Sequence, residues 1–209
     1  MKNTLLLCAA WAFYCAIHSL LAAEKTQQFI TERFSFLRRS YRIFYNIMAV
    51  ILLAVPVAAI QTMPSLHLWS WSGPWIVLQS IIFLAVAAGF VWTAHFYDMK
   101  FFFGIGQATD QPPESSSPTF TLSPMHRFVR HPWYFLGIVF LWSRNMDLAR
   151  LITALCLTLY FIVGSRLEET RLIDLFSSPY REYRKAVPAL FPLPWKFLKG
   201  KKVRDRSQA

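Results

Sequence analysis

The stretch "RHPWYFLGIVFLWSRNMDLARLITALCLTLYFIVGSRLEE", Arg130–Glu169, holds two apolar runs, Pro132–Trp142 and Leu148–Gly164, between charged ends. Arg130 and His131 precede the first run, and Arg166, Glu168 and Glu169 follow the second. Neither run alternates apolar with polar residues as a barrel strand would. Lipid offers no hydrogen-bond partners to the backbone, so both runs read as helices. Crossing about 30 Å of hydrocarbon takes about 20 helical residues, and the first run is short for that. The pair is therefore expected to form a tight helical hairpin turning at "SRNMD", Ser143–Asp147, with both charged ends on one side of the membrane.

Working outward, three further apolar runs appear: Leu5–Ala23, Ile43–Ile60 and Trp75–Phe96. Hydrophobic residues make up 55% of the 209 and charged residues only 16%, the balance of a membrane protein. The expected fold is all-α, a polytopic membrane bundle of about five transmembrane helices with a cytoplasmic C-terminal helical segment. In chain order this gives N-terminal spans over 1–96, a loop and motif entry over 97–131, a hairpin with a juxtamembrane helix over 132–195, and a basic tail over 196–209. The first run is longer than the roughly 7–15 residues of a signal-peptide core and contains Trp11, Tyr14 and His18, so it reads as a retained helix.

A net charge of +11 invites a nucleic-acid partner. The distribution excludes that reading, because Lys and Arg fall in blocks between apolar runs and so record topology. Lys25, Arg33, Arg38, Arg39 and Arg42 follow the first run, whereas "QTMPSLHLWSWSGP", Gln61–Pro74, contains neither Lys nor Arg. Lys100, Arg127 and Arg130 precede the fourth run, and a basic segment follows from Arg166; only Arg144 and Arg150 dissent. The bias puts the N-terminus outside and the C-terminus in the cytoplasm, with a bacterial inner membrane as the expected location. Trp69, Trp71 and Trp75 suit an aromatic belt at the outer interface. Cys8, Cys15 and Cys156 lie in apolar runs, odd in number and scattered, so neither a disulfide framework nor a metal site is expected. Gly106–Pro124 is Pro/Ser-rich and reads as a cytoplasmic loop able to serve as lid or linker. "KGKKVRDRSQA", Lys199–Ala209, reads as a solvated tail attracted to anionic lipid. No internal repeat is found.

Three clusters carry chemistry. Pro132 suits the first turn of a helix, whose free amides then sit beside Arg130 and His131 as an anion receptor. Arg residues flanking a span also simply snorkel to headgroups. In "GSRLEETRL", Gly164–Leu172, Arg166 and Glu169 share a helical face and Glu168 points about 100° away. Two acids tucked under a membrane surface need a cation, from Arg130 or from a ligand. In "FSSPYREYRKAVPALFP", Phe176–Pro192, Ser178 and Pro179 signal a helix start, with Tyr180, Tyr183 and Arg184 on one side. Basic groups, paired acids and tyrosines at one pocket suit a ligand with an anionic end, a cationic end and an aromatic surface, as in S-adenosylmethionine.

The order "RHPWY", an apolar stretch, "LEE", then "LFSSPYREYRKAVPALFP" resembles the C-terminal signature of the isoprenylcysteine carboxyl methyltransferase-like superfamily. That signature reads Arg-His-Pro-x-Tyr, Glu-Glu, Phe-Gly-x-x-Tyr-x-x-Tyr and Val-Pro. "FFFGIGQ", Phe101–Gln107, resembles the Phe-Gly-x-x-Gln element of bacterial methanethiol S-methyltransferases, and "IHSLLAA" and "YRIFYNIMAV" resemble their early segments, which a denitrification-associated membrane family shares. Ser177 stands where the superfamily has Gly, and Gly137 follows Tyr134 by three positions where two is usual.

The resemblance implies an integral membrane methyltransferase using S-adenosylmethionine at a cytoplasmic site. It implies cofactor contacts from His131, Pro132, Tyr134 and Glu168 or Glu169, with Arg130 on the cofactor carboxylate. Arg166 and Glu169 would face the acceptor, and Tyr180 and Tyr183 would line the pocket. The expected acceptor is a small or lipophilic thiol, with an isoprenylcysteine-type carboxylate or a phospholipid amine as alternatives. A non-catalytic role in membrane assembly or transport, and reductase chemistry, are rival classes; no dinucleotide fingerprint supports the latter.

Overall fold

A computed structural model describes residues 2–64, 66–109 and 122–198. Its helices are, in chain order, α1 (Lys2–Ala22), α2 (Glu24–Arg33), α3 (Tyr41–Gln61), α4 (Trp75–Ala94), α5 (Met99–Phe103), α6 (Ile105–Thr109), α7 (Pro132–Trp142) and α8 (Leu148–Ala186). Four of them, α1, α3, α4 and α8, are long and apolar enough to cross a membrane, and α7 is a shorter apolar helix. Many side chains of the spans lie open, among them Val50 at 72%, Leu84 at 70% and Val91 at 73%. Lipid is as apolar as they are, so outward-facing Val and Leu need no protein partner there. The protein is an all-α polytopic membrane protein. Among the described residues the only strand pairing joins β1 (His67–Trp69) to β2 (Met146–Asp147), antiparallel, with His67 opposite Asp147.

The chain gathers into two compact units. Among the described residues the first draws on those within 2–70, 97–109 and 145–157, the second on those within 71–96, 122–144 and 158–198. In the first, α1 packs on α3 around Leu7, Ala10, Trp11 and Ala59, joined by Ala149 and Ile152 from the start of α8. The Trp11 indole donates to Thr153 Oγ1 at 3.0 Å, which satisfies its one polar atom. Asp98 caps α5 by accepting from the amides of Lys100 and Phe101. The turn from α5 to α6 uses Gly104 at φ +91°, and a Cβ there would lie 2.8 Å from the Ile43 amide nitrogen. Arg42 and Asn46 of α3 donate to the carbonyls of Phe102 and Phe103 that end α5. The loop expected from Gly106 therefore starts later, because Gly106–Thr109 is helical. The remainder of that loop over 110–121 and the basic tail lie outside the described residues.

In the second unit α4 runs antiparallel to α7. Gln79 donates to the Ser143 carbonyl at one end, and Thr93 donates to Met125 Sδ at the other. Between them Phe83 meets Phe140, Phe90 meets Trp133 edge-on, and Gly89 admits the Leu136 side chain. On its other side α7 lies beside the later part of α8. Trp142 Nε1 donates to Thr158 Oγ1 at 2.9 Å, and the rings of Tyr134 and Phe161 stack 5.1 Å apart. Nothing breaks α8 where its apolar run stops, so the helix carries its charged residues in rigid continuation. The break comes at Ser177, φ +49° and ψ −120°, where a new helical run starts at Ser178 and Pro179.

Candidate functional site

At the end of the second unit where α4 stops, charged side chains from α7's entry and from α8 converge. His131 precedes Pro132 at the start of α7, and Arg130 precedes it. Both are fixed by a strap of chain after α8: the Arg130 amide donates to the Pro188 carbonyl at 2.9 Å and the His131 amide to that of Ala189 at 3.0 Å. The Tyr183 hydroxyl donates to the His126 carbonyl at 2.7 Å. Arg127 donates through Nε and Nη2 to the Leu198 carbonyl, and the Leu198 amide returns a bond to Arg127.

Glu169, only 5% exposed, is the hub. Arg130 reaches its Oε1 with Nε at 2.8 Å and Nη2 at 2.7 Å, and His131 Nε2 lies 3.1 Å from the same oxygen. Arg184 Nε lies 3.2 Å from Oε2. A carboxylate this buried would be costly alone, and two guanidinium groups with the His131 imidazole offset its desolvation. The third nitrogen of Arg130, Nη1, donates to the carbonyls of Arg184 and Val187.

Glu168 differs. Its side chain is 48% exposed, with Oε2 held 3.3 Å from His131 Nδ1 and accepting from the Tyr134 hydroxyl at 3.2 Å. His131 thus bridges the two acids. Its imidazole lies nearly parallel to Tyr134, and Tyr134 to Phe161, so three flat rings stack beside the exposed carboxylate. Burial alone would lower the His131 pKa, but its hydrogen bonds to Glu168 and Glu169 and their charges outweigh that, leaving it above the ordinary 6.5. Burial, aided by the charge of His131, pushes His126 down to about 4 against the opposing pull of Glu168. His126 instead pairs with Ser123, Nδ1 to Oγ at 2.7 Å.

The structure brings together Arg130, His131, Tyr134, Glu168 and Glu169, with Pro132 buried behind them. Arg130 departs from the reading that it takes a ligand's carboxylate, because all three guanidinium nitrogens bond within the protein. Arg166 is exposed and makes no side-chain hydrogen bond or ion pair among the described residues, while Glu169 turns inward away from it. Tyr180 and Tyr183 are buried at 1% and 5% against Val187, and pack beneath the charged cluster. Arg184, placed by the sequence on one side of its helix with Tyr180 and Tyr183, reaches Glu169. Phe161 joins the site unannounced, as one more aromatic in an apolar run. No group of side chains suited to a metal occurs among the described residues.

A family model described as "NnrU protein" matches residues 6–192. The chain is similar to Methanethiol S-methyltransferase 1 of Bradyrhizobium diazoefficiens, 29% identical over 88% of this chain and 65% of that protein. It is 34% identical to Methanethiol S-methyltransferase of Pseudomonas deceptionensis over 43% of this chain and 36% of that one. For the enzyme of the same name from Pseudomonas sp. (strain GM41(2012)) the figures are 30%, 59% and 49%. The chain therefore spans less than two thirds of the length of these relatives. No solved structure matches it significantly. The family match takes in both units and the whole charged cluster, and the chain belongs to the NnrU family.

Proposed function

We propose that this protein is an S-adenosylmethionine-dependent methyltransferase of the membrane, acting on a small or lipophilic thiol. The observation that carries the reading is Glu168, a half-exposed carboxylate aligned by His131 and Tyr134 at the edge of a stack of flat rings. The names of the relatives, each a methanethiol S-methyltransferase, support the acceptor class.

The residues fit such a cofactor, with one change from the sequence reading. Glu168 suits an ammonium group or a ribose hydroxyl, and the Tyr134–Phe161 stack suits a purine. Arg184 is half exposed and bonds to the carboxylate of Glu169 only through Nε, which leaves more donors for a ligand carboxylate than Arg130 has. When bound, S-adenosylmethionine supplies an electrophilic methyl group on a sulfonium centre. The protein's own contribution is mainly positioning. Glu169 is committed to Arg130, His131 and Arg184 and orders the site instead of acting as a base. A thiol with a pKa near ~8.5 needs little help to ionise, and the exposed cations Arg166 and Arg184 favour its thiolate. The site is assigned to the cytoplasmic face of a bacterial inner membrane, with the N-terminus outside.

The test is transfer of labelled methyl from S-adenosylmethionine by purified protein in nanodiscs, offered methanethiol, longer thiols, a prenylcysteine and phospholipids. Label in a volatile thioether is the expected result. Label appearing only in a prenylcysteine ester or a phospholipid would move the acceptor. No calorimetric binding of the cofactor would end the enzymatic reading in favour of an assembly or transport role.

A further inference from the structure

The strap that holds Arg130 and His131 continues into a tight turn. Leu193 and Lys196 form an antiparallel bridge, the Lys196 amide donating to the Leu193 carbonyl at 3.0 Å, with Pro194 and Trp195 at the tip. Pro194 restricts the backbone there, so the tip is stiff. Trp195 is 77% exposed. Behind it the strap is tied down by the Arg127–Leu198 bonds and by Phe128 stacked on Phe197, centroids 6.3 Å apart. A large apolar ring is thus displayed on a braced support, a poor arrangement for a surface meeting only water.

We propose that the Leu193–Lys196 turn is an anchor that seats Trp195 among the headgroups of an anionic lipid leaflet, on the side of the membrane where the charged cluster lies. Depth is the first argument. Strap carbonyls bond the amides immediately before α7, and Phe191 meets Phe135 of α7's first turn edge-on. The strap therefore lies where an apolar helix begins, which is the boundary between headgroups and hydrocarbon. Chemistry is the second. An indole has an apolar body and one N–H donor, and it partitions to that boundary. Charge is the third. Arg127 and Lys196 flank the turn, and the sequence beyond Leu198 adds Lys199, Lys201, Lys202, Arg204 and Arg206. Such a cluster is drawn to anionic lipid and not to zwitterionic lipid. The inference does not depend on the reaction proposed above.

The protein has eight Trp residues, so Trp195 is isolated as the fluorescence difference between wild type and Trp195→Phe in nanodiscs. Lipids brominated near the headgroup should quench that difference, and the neutral quencher acrylamide should reach it roughly twofold less in phosphatidylglycerol than in phosphatidylcholine discs. Quenching by acrylamide alone, equal in the two lipids, would overturn the proposal. So would protection from both quenchers, which would mean that a second copy or another protein covers the turn. Radical footprinting of wild-type protein supplies the same comparison without a variant: the peptide containing Trp195 should be protected in anionic discs, and equal labelling in both lipids would count against the anchor.

Discussion

Ser177 shows how a single position can be read from sequence and then explained by geometry. The superfamily signature has Gly there, and the backbone adopts φ +49°, ψ −120°, a region that L-residues rarely enter. Replacing Ser177 by Gly should raise stability by about 1 kcal/mol, seen as a higher melting temperature in detergent, and Val should lower it by at least as much. The paired acids were less legible. Sequence showed two carboxylates needing a cation, but which one meets Arg130 depends on how α7 and α8 are set against each other. The outcome separates them sharply. Glu169→Gln leaves buried cations uncompensated and should cost about 3 kcal/mol or more, measured by chemical denaturation. Glu168→Gln should cost less than about 1 kcal/mol in stability, yet weaken S-adenosylmethionine binding roughly tenfold or more by calorimetry.

Among the elements, long apolar runs were readable because lipid imposes a minimum length and a composition. Ile43–Ile60 became Tyr41–Gln61, and Trp75–Phe96 became Trp75–Ala94. The apolar run stops at Gly164, but the helix continues past it, as the shared helical face of Arg166 and Glu169 implies, and breaks only at Ser177. Helices as short as α5 and α6 show no periodicity, and the β1–β2 pair joins residues far apart in sequence, so neither had a local signal. The turn after α5 gives the test at this scale. Gly104→Ala combines a positive φ with a Cβ 2.8 Å from backbone, and should cost about 2 kcal/mol or more. Gly89→Ala meets only the flexible end of Leu136 and should cost clearly less in the same melting assay.

For the whole molecule the two histidines set opposite limits on stability with pH. His131 has a raised pKa, so its contribution is complete below about 6.5 and is lost as pH climbs through its folded value. His126 is depressed to about 4, so the fold loses stability as pH falls from about 6.5 toward that value. Melting temperature should therefore peak at about pH 6.5, and His126→Gln should flatten the acid side of the curve without moving the alkaline side.

The bonds between 126–131 and 183–198 also fix an order of events during synthesis. Arg130 enters the nascent protein long before the carbonyls of Arg184, Val187, Pro188 and Ala189 exist to receive its donors and its amide. Until translation has passed Leu198, the hairpin can be inserted but its charged mouth cannot close. A ribosome-bound chain halted near Ala186 should thus remain open to protease around Phe128, and one extended beyond Leu198 should resist it.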